Sequence, residues 1–201
     1  MRNFERVRQK VAETEFFLEM LENCGPDPFA AQCYLGAFAA AARSVTYALQ
    51  VSLAGVPGFA EWYETERGRL REDRGAQWFH ALRNANQHQG TWNITSGLTH
   101  TAENGQQVVR HWAVATEDAN REFDVVEACR RHHELLGDLV QRATVRLPKA
   151  ADPAWIFNED HLAQEGMTVE DLEEALGFPR AWTDTDRGSV SDRLRALARH
   201  A

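Results

Sequence analysis

Residues 77–90 read QWFHALRNANQHQG and concentrate the side chains of this chain best suited to chemistry. Arg83 is a permanent multi-donor cation, Asn84 an amide, and His88 a group that titrates near neutrality. Such a set can hold negative charge and move a proton. Trp78, Leu82 and Ala85 fall at i, i+4 and i+7, with Phe79 alongside, so the stretch also carries the apolar stripe of a helix. At about 100° per residue, Asn84 and His88 share a face, while Arg83 and His88 lie about 140° apart. One straight helix therefore presents the arginine and the histidine on opposite flanks of its apolar stripe.

The rest of the chain supplies elements to position this helix. Phe4, Val7, Val11, Leu18 and Leu21 predict a first helix over about residues 3–23, stopped by Gly25 and Pro26. Asp27 is a good N-cap and Pro28 suits the first helical position, so a second helix runs to about Leu53. At roughly 1.5 Å per residue it spans about 39 Å, the longest element. Its many alanines allow close approach, and Gln32, Gly36, Arg43, Tyr47 and Gln50 make a polar seam. A charged helix over residues 60–73 follows, anchored by Trp62, Tyr63 and Leu70, with Gly75 separating it from the helix of Arg83.

Asn104-Gly105 between two arms predicts a short β-hairpin over about residues 92–116. A last long helix over about residues 119–145 places Val125, Cys129, His132, Leu136, Leu139 and Ala143 on one inward stripe. Beyond Pro148 the chain restarts with its own capping boxes, Thr168–Asp171 and Ser189–Asp192. The fold class predicted is mainly α: an antiparallel four-to-five-helix bundle over residues 1–148 with an inserted hairpin, and a C-terminal helical extension over 149–201.

The net charge of -8 argues against non-specific nucleic-acid binding over the whole surface but leaves room for one local basic site. Cys24, Cys33 and Cys129 have no metal-like spacing, and an odd count without a signal peptide suggests a reducing, cytoplasmic setting. The uncharged, alanine-rich run of residues 28–42 is too short for a membrane span.

The run Arg83-Asn84-Ala85-Asn86-Gln87-His88 resembles the signature of the HEPN superfamily: an arginine, a polar residue, then a histidine after four to six intervening positions. The strict match covers six residues, and the helical bundle extends the likeness over about residues 1–145. The resemblance implies a metal-independent endoribonuclease of the toxin or phage-defence kind, with no cofactor. Its partners would be an RNA substrate, a second copy of the chain, and a cognate antitoxin such as a minimal nucleotidyltransferase. It assigns Arg83 to the charge on the reacting phosphate, His88 to proton transfer, and Asn84 to orienting His88 or donating to phosphate. A two-fold dimer would bring Arg83 of one copy near His88 of the other.

Each residue also has a plainer role. Arg83 suits a solvated or salt-bridged surface, His88 a cation at a helix C-terminus, and Asn84 a local bridge. Arg43, Tyr47 and His132 are further candidates for substrate contact, set against a polar seam for the first two and a core histidine for the third. Two other functional classes fit the pattern. One is a non-catalytic HEPN-like module binding a nucleotide or a protein. The other is a metal-binding bundle using His80, His88 and His132 or His133, although no HxxxH or ExxH spacing supports it.

Overall fold

A computed structural model of the chain describes residues 4–89, 94–101, 105, 107–115, 118–184 and 188–200. The side chains of residues 85–89, 96, 100, 107, 115, 118–121 and 153 lie outside this description. The fold is mainly helical with one small antiparallel sheet. It divides into two compact units, residues 1–142 and 143–201.

In the first unit, α1 (Glu5–Glu22) packs along α2 (Pro28–Leu53). The short turn between them uses Gly25 at φ +67, a left-handed conformation that only glycine adopts cheaply. Asp27 caps α2 through a 2.9 Å bond from the Phe29 amide, with Pro28 at the first position. Both the 26-residue length and the cap follow the sequence pattern. Leu35, Phe38, Leu49 and Leu53 on α2 are fully buried, as are Leu21 of α1 and Leu136 and Leu139 further on. Next come α3 (Phe59–Glu72) and α4 (Arg74–Gln89).

Gly75 does not separate these two helices. Asp73 does, by accepting the Ala76 amide at 2.7 Å, so α4 starts before Gly75 and includes it.

The hairpin forms as β1 (Ile94–Thr101) and β2 (Gln107–Ala115), but the sheet has a third strand, β3 (Asp118–Asp124). Residues 118–124 were expected largely within the last helix, which begins only at Val125. Pairing overrides local propensity here, with Trp112, Ala113 and Val114 opposite Asp124, Phe123 and Glu122. Arg110 reaches Asp124 at 3.1 Å, and Thr95 donates to Glu122 at 2.9 Å. Asp124 then caps α5 (Val125–Arg146) through the amides of Val126 and Glu127 at 2.9 and 3.2 Å.

The predicted stripe on α5 is buried at every position from Val125 to Ala143. Arg130 meets Glu22 of α1 at 2.6 Å. His133 bonds Thr14 of α1 at 2.7 Å. The Thr14 hydroxyl is already donated to Val11 at 2.6 Å, so His133 Nδ1 is the donor. Glu66 of α3, only 2% exposed, is held by Arg69 at 2.7 Å and by Arg142 of α5 at 2.9 Å.

The sheet is fastened to the α1–α2 turn by His111 of β2. This side chain is 1% exposed and bonds the Gly25 carbonyl at 2.9 Å through Nε2. Opposite it in β1 stands Gly97, where a Cβ would lie 3.2 Å from the His111 ring. A side chain there would crowd the buried imidazole.

The second unit carries α6 (Pro148–Ala151), a 3₁₀ turn (Pro153–Phe157), α7 (Glu159–Glu165), α8 (Val169–Ala175) and α9 (Val190–Ala198). Both predicted capping boxes are present, at Thr168–Asp171 and Ser189–Asp192. Leu162, Val169, Leu172, Leu194 and Leu197 form a core of its own, flanked by Phe157, Met167, Leu176 and Phe178.

Candidate functional site

The expected signature lies on α4. Arg83, Asn84 and His88 belong to this one continuous helix. Phe79 and Leu82 are buried along it, as the stripe predicts, so the helix is anchored by its apolar side. Arg83 is partly exposed and forms no ion pair with another described residue. Asn84 stands 3.5 Å from His80, one turn back on the same helix, a local contact at the outer limit of hydrogen bonding. His88 falls in the last turn, and its side chain lies outside the described residues.

The three further candidates each have a setting of their own. Arg43 is exposed and donates to Thr46 at 2.7 Å. Beside it the Tyr63 hydroxyl is pushed up by burial, opposed by the charges of Arg43 and Arg67 and by hydrogen bonds with Thr46 and Gln50. This is the polar seam anticipated for α2, here shared with α3. Tyr47 is 65% exposed.

His132 has a different setting, in the wall of a cleft of about 1050 Å³ lined by α4 from Arg74 to Ala81 but not by Arg83. The cleft lies among the end of α3, the first turns of α4, the end of β3 and one face of α5. Of Arg83, Asn84, Arg43 and Tyr47, none lines it.

His132 is 8% exposed and stacks on Phe79 with ring centres 4.4 Å apart, its edge set against Phe38 at 6.4 Å. Burial pushes its imidazole down to about 4, with the charge of Asp73 opposing and that of His133 adding. The ring is therefore neutral at physiological pH. Its Nδ1 is buried and has no hydrogen-bond partner, which costs on the order of 1–3 kcal/mol. The sequence marked His132 as inward-facing; the vacancy in its hydrogen bonding is a tertiary fact.

Trp78 and Phe123 meet edge to face at 4.8 Å on another wall of the cleft. Six carboxylates and two guanidinium groups stand round it. Two of those carboxylates, Asp73 and Asp124, are the helix caps described above, and Glu127 pairs with Arg131 at 2.8 Å. The signal that could have found this place was an aspartate just before each helix start, facing a histidine on an apolar stripe. Neither alone points to a cavity.

Of the histidines weighed as metal ligands, the three whose side chains are described have separate roles, His80 beside Asn84, His133 on Thr14 and His132 against Phe79. Among the described residues no group of three or more His, Cys, Asp or Glu side chains is placed to hold a metal ion. Nor is any described helix long and apolar enough to cross a membrane.

Cys24 lies 3.6 Å from His111 Nε2 but donates to the Leu21 carbonyl at 3.1 Å. Burial raises its thiol above the ordinary range, with the bond to backbone opposing and Asp27 adding, the reverse of an activated nucleophile. Comparison of the chain with protein-family models, with curated proteins and with solved structures returned no match.

Proposed function

We propose that this protein is a metal-independent endoribonuclease of HEPN type, acting as a toxin or phage-defence effector through a site shared by two copies. The observation that carries this is the placement of Arg83, Asn84 and His88 on one uninterrupted helix, α4. Helix positions five apart, such as 83 and 88, stand about 140° apart around the axis, so two copies related by a two-fold axis would be needed to bring an arginine and a histidine face to face.

In the reaction the RNA 2′-oxygen attacks the adjacent phosphorus and the bond to the 5′-oxygen breaks. His88 exchanges the proton lost by the 2′-hydroxyl or gained by the 5′-oxygen, and Arg83 holds the charge on the phosphorane. The products are a 2′,3′-cyclic phosphate and a 5′-hydroxyl. A protein antitoxin, a minimal nucleotidyltransferase for instance, would act by covering this helix.

Purified protein is expected to cut RNA in EDTA and leave cyclic-phosphate ends. Arg83→Ala and His88→Ala should each lose about 10²-fold or more of the activity, Asn84→Ala less. A mixed dimer with one substitution in each copy should recover about half the sites, since one composite site keeps both residues. Full activity in His88→Ala, or cleavage that stops with EDTA, overturns the mechanism.

A second reading, a non-catalytic HEPN-like module binding a nucleotide or a partner protein, is favoured by the net charge of -8, which opposes RNA capture. Dimerisation without cleavage of any RNA would select it.

A further inference from the structure

The cleft beside the first turns of α4 plays no part in that mechanism. We propose that it is a binding site for a small organic amine, with the ammonium held by the rim carboxylates, the apolar body against Trp78 and Phe123, and an N–H donated to the imidazole of His132.

Size, charge and the unpartnered histidine argue for it independently. A volume of about 1050 Å³ is that of a small-molecule pocket, typically about 300–1,000 Å³. Glu72, Glu134 and Asp138 line it without an ion pair among the described residues, against Arg74 as the one lining guanidinium similarly unpaired. The remaining charges are already spent on helix caps and on the Arg131–Glu127 pair. An anion would thus meet a rim of its own sign, whereas a cation gains from the carboxylates and from the ring faces of the aromatic wall.

His132 supplies the second observation. Buried polar atoms are nearly always paired; among the described residues four side-chain nitrogens are not, and His132 is the one of these four residues that lines the cleft. The neutral ring keeps a lone pair at physiological pH, which suits a donor such as an ammonium or amine N–H. A bare metal ion suits the site poorly, because the described carboxylates do not converge as ligands.

The full-length chain should be titrated with tryptamine, and with indole-3-propionate as an anion of the same ring, by calorimetry and by NMR of the histidine ring protons. Tryptamine is expected to bind with one site per chain and to shift the His132 resonances, while the anion binds at least about tenfold more weakly. Glu134→Gln with Asp138→Asn, both exposed positions, should weaken tryptamine by roughly tenfold without altering the circular dichroism. His132→Phe should abolish most of the binding while leaving the protein folded. Equal affinity for the anion, or tryptamine binding that ignores these substitutions and leaves His132 unshifted, overturns the proposal. Neither result depends on whether RNA is cut.

Discussion

Glu173 in the second unit and His132 in the first are both closed off from solvent, at 0% and 8% exposure, and they are partnered in opposite ways. The Glu173 carboxylate accepts from the amides of Trp182 and Thr183 at 3.2 and 2.8 Å, from the Thr183 hydroxyl, and from Arg193 at 3.3 Å. Arg193 in turn pairs with Glu170 at 2.6 Å. Burial pushes this carboxyl up, but the bonds from Thr183 and Arg193 outweigh it and leave it below its ordinary range. His132 has aromatic neighbours and an empty Nδ1.

Saturation of the Glu173 kind serves structure, since each missing partner costs free energy. Where saturation is absent beside a cavity, the site carries a cost that a ligand can offset, so stability and binding pull apart at His132 and run together at Glu173.

The sharpest way to break the contrast is Glu173→Ala. It orphans two amides and opens a hole in the second unit, and should cost on the order of 4 kcal/mol. Urea unfolding together with exchange of the Thr183 amide measures this. A loss below about 1 kcal/mol would mean that the network is ornamental.

Titration of His132 comes next. Its folded-state value of about 4 lies below the ordinary 6.5, so the unfolded chain binds the proton more readily. The associated stability is complete above about pH 6.5 and is lost as pH falls toward 4, by up to about 3 kcal/mol. His132→Phe should flatten the decline of the urea midpoint between pH 6.5 and 4.5, and at pH 7 should match or exceed the native chain. An unchanged decline would assign the acid sensitivity to carboxylates elsewhere.

The smallest effect concerns Ala181, which has φ +62 in the turn whose next two amides bind Glu173. A left-handed alanine costs about 1–2 kcal/mol, partly balanced by the entropy that glycine adds to the unfolded chain. Ala181→Gly should therefore raise stability by roughly 0.5 kcal/mol, read from the melting temperature. A clear loss would show that the turn relaxes elsewhere.

Much of the helical framework was legible because its signals are local. Asp27 with Pro28, the two capping boxes, and the α5 stripe each act within a few residues of where they are written. The placement of Arg83, Asn84 and His88 on one helix was legible for the same reason. The role of Asp73 was not, because the more conspicuous Gly75 two residues later drew the boundary. Strand β3 was not, because Asp118–Asp124 contains no β-branched residue and only Phe123 as an aromatic. It is a strand because β2 offers it a partner, and pairing is settled by cross-strand contacts more than by intrinsic preference.

The sequence by itself thus determined the caps, the buried stripes and the spacing of the polar side chains on α4, since these follow from backbone geometry within a turn or two. Only the tertiary structure decided that the carboxylates of Asp73 and Asp124 would border one cleft, that Glu66 would join α3 to α5, and that His132 would lack a partner. Those outcomes depend on which distant side chains arrive at the same point. Burial then sets their chemistry, because the cost of an unpaired charge or lone pair exists only once water has been excluded.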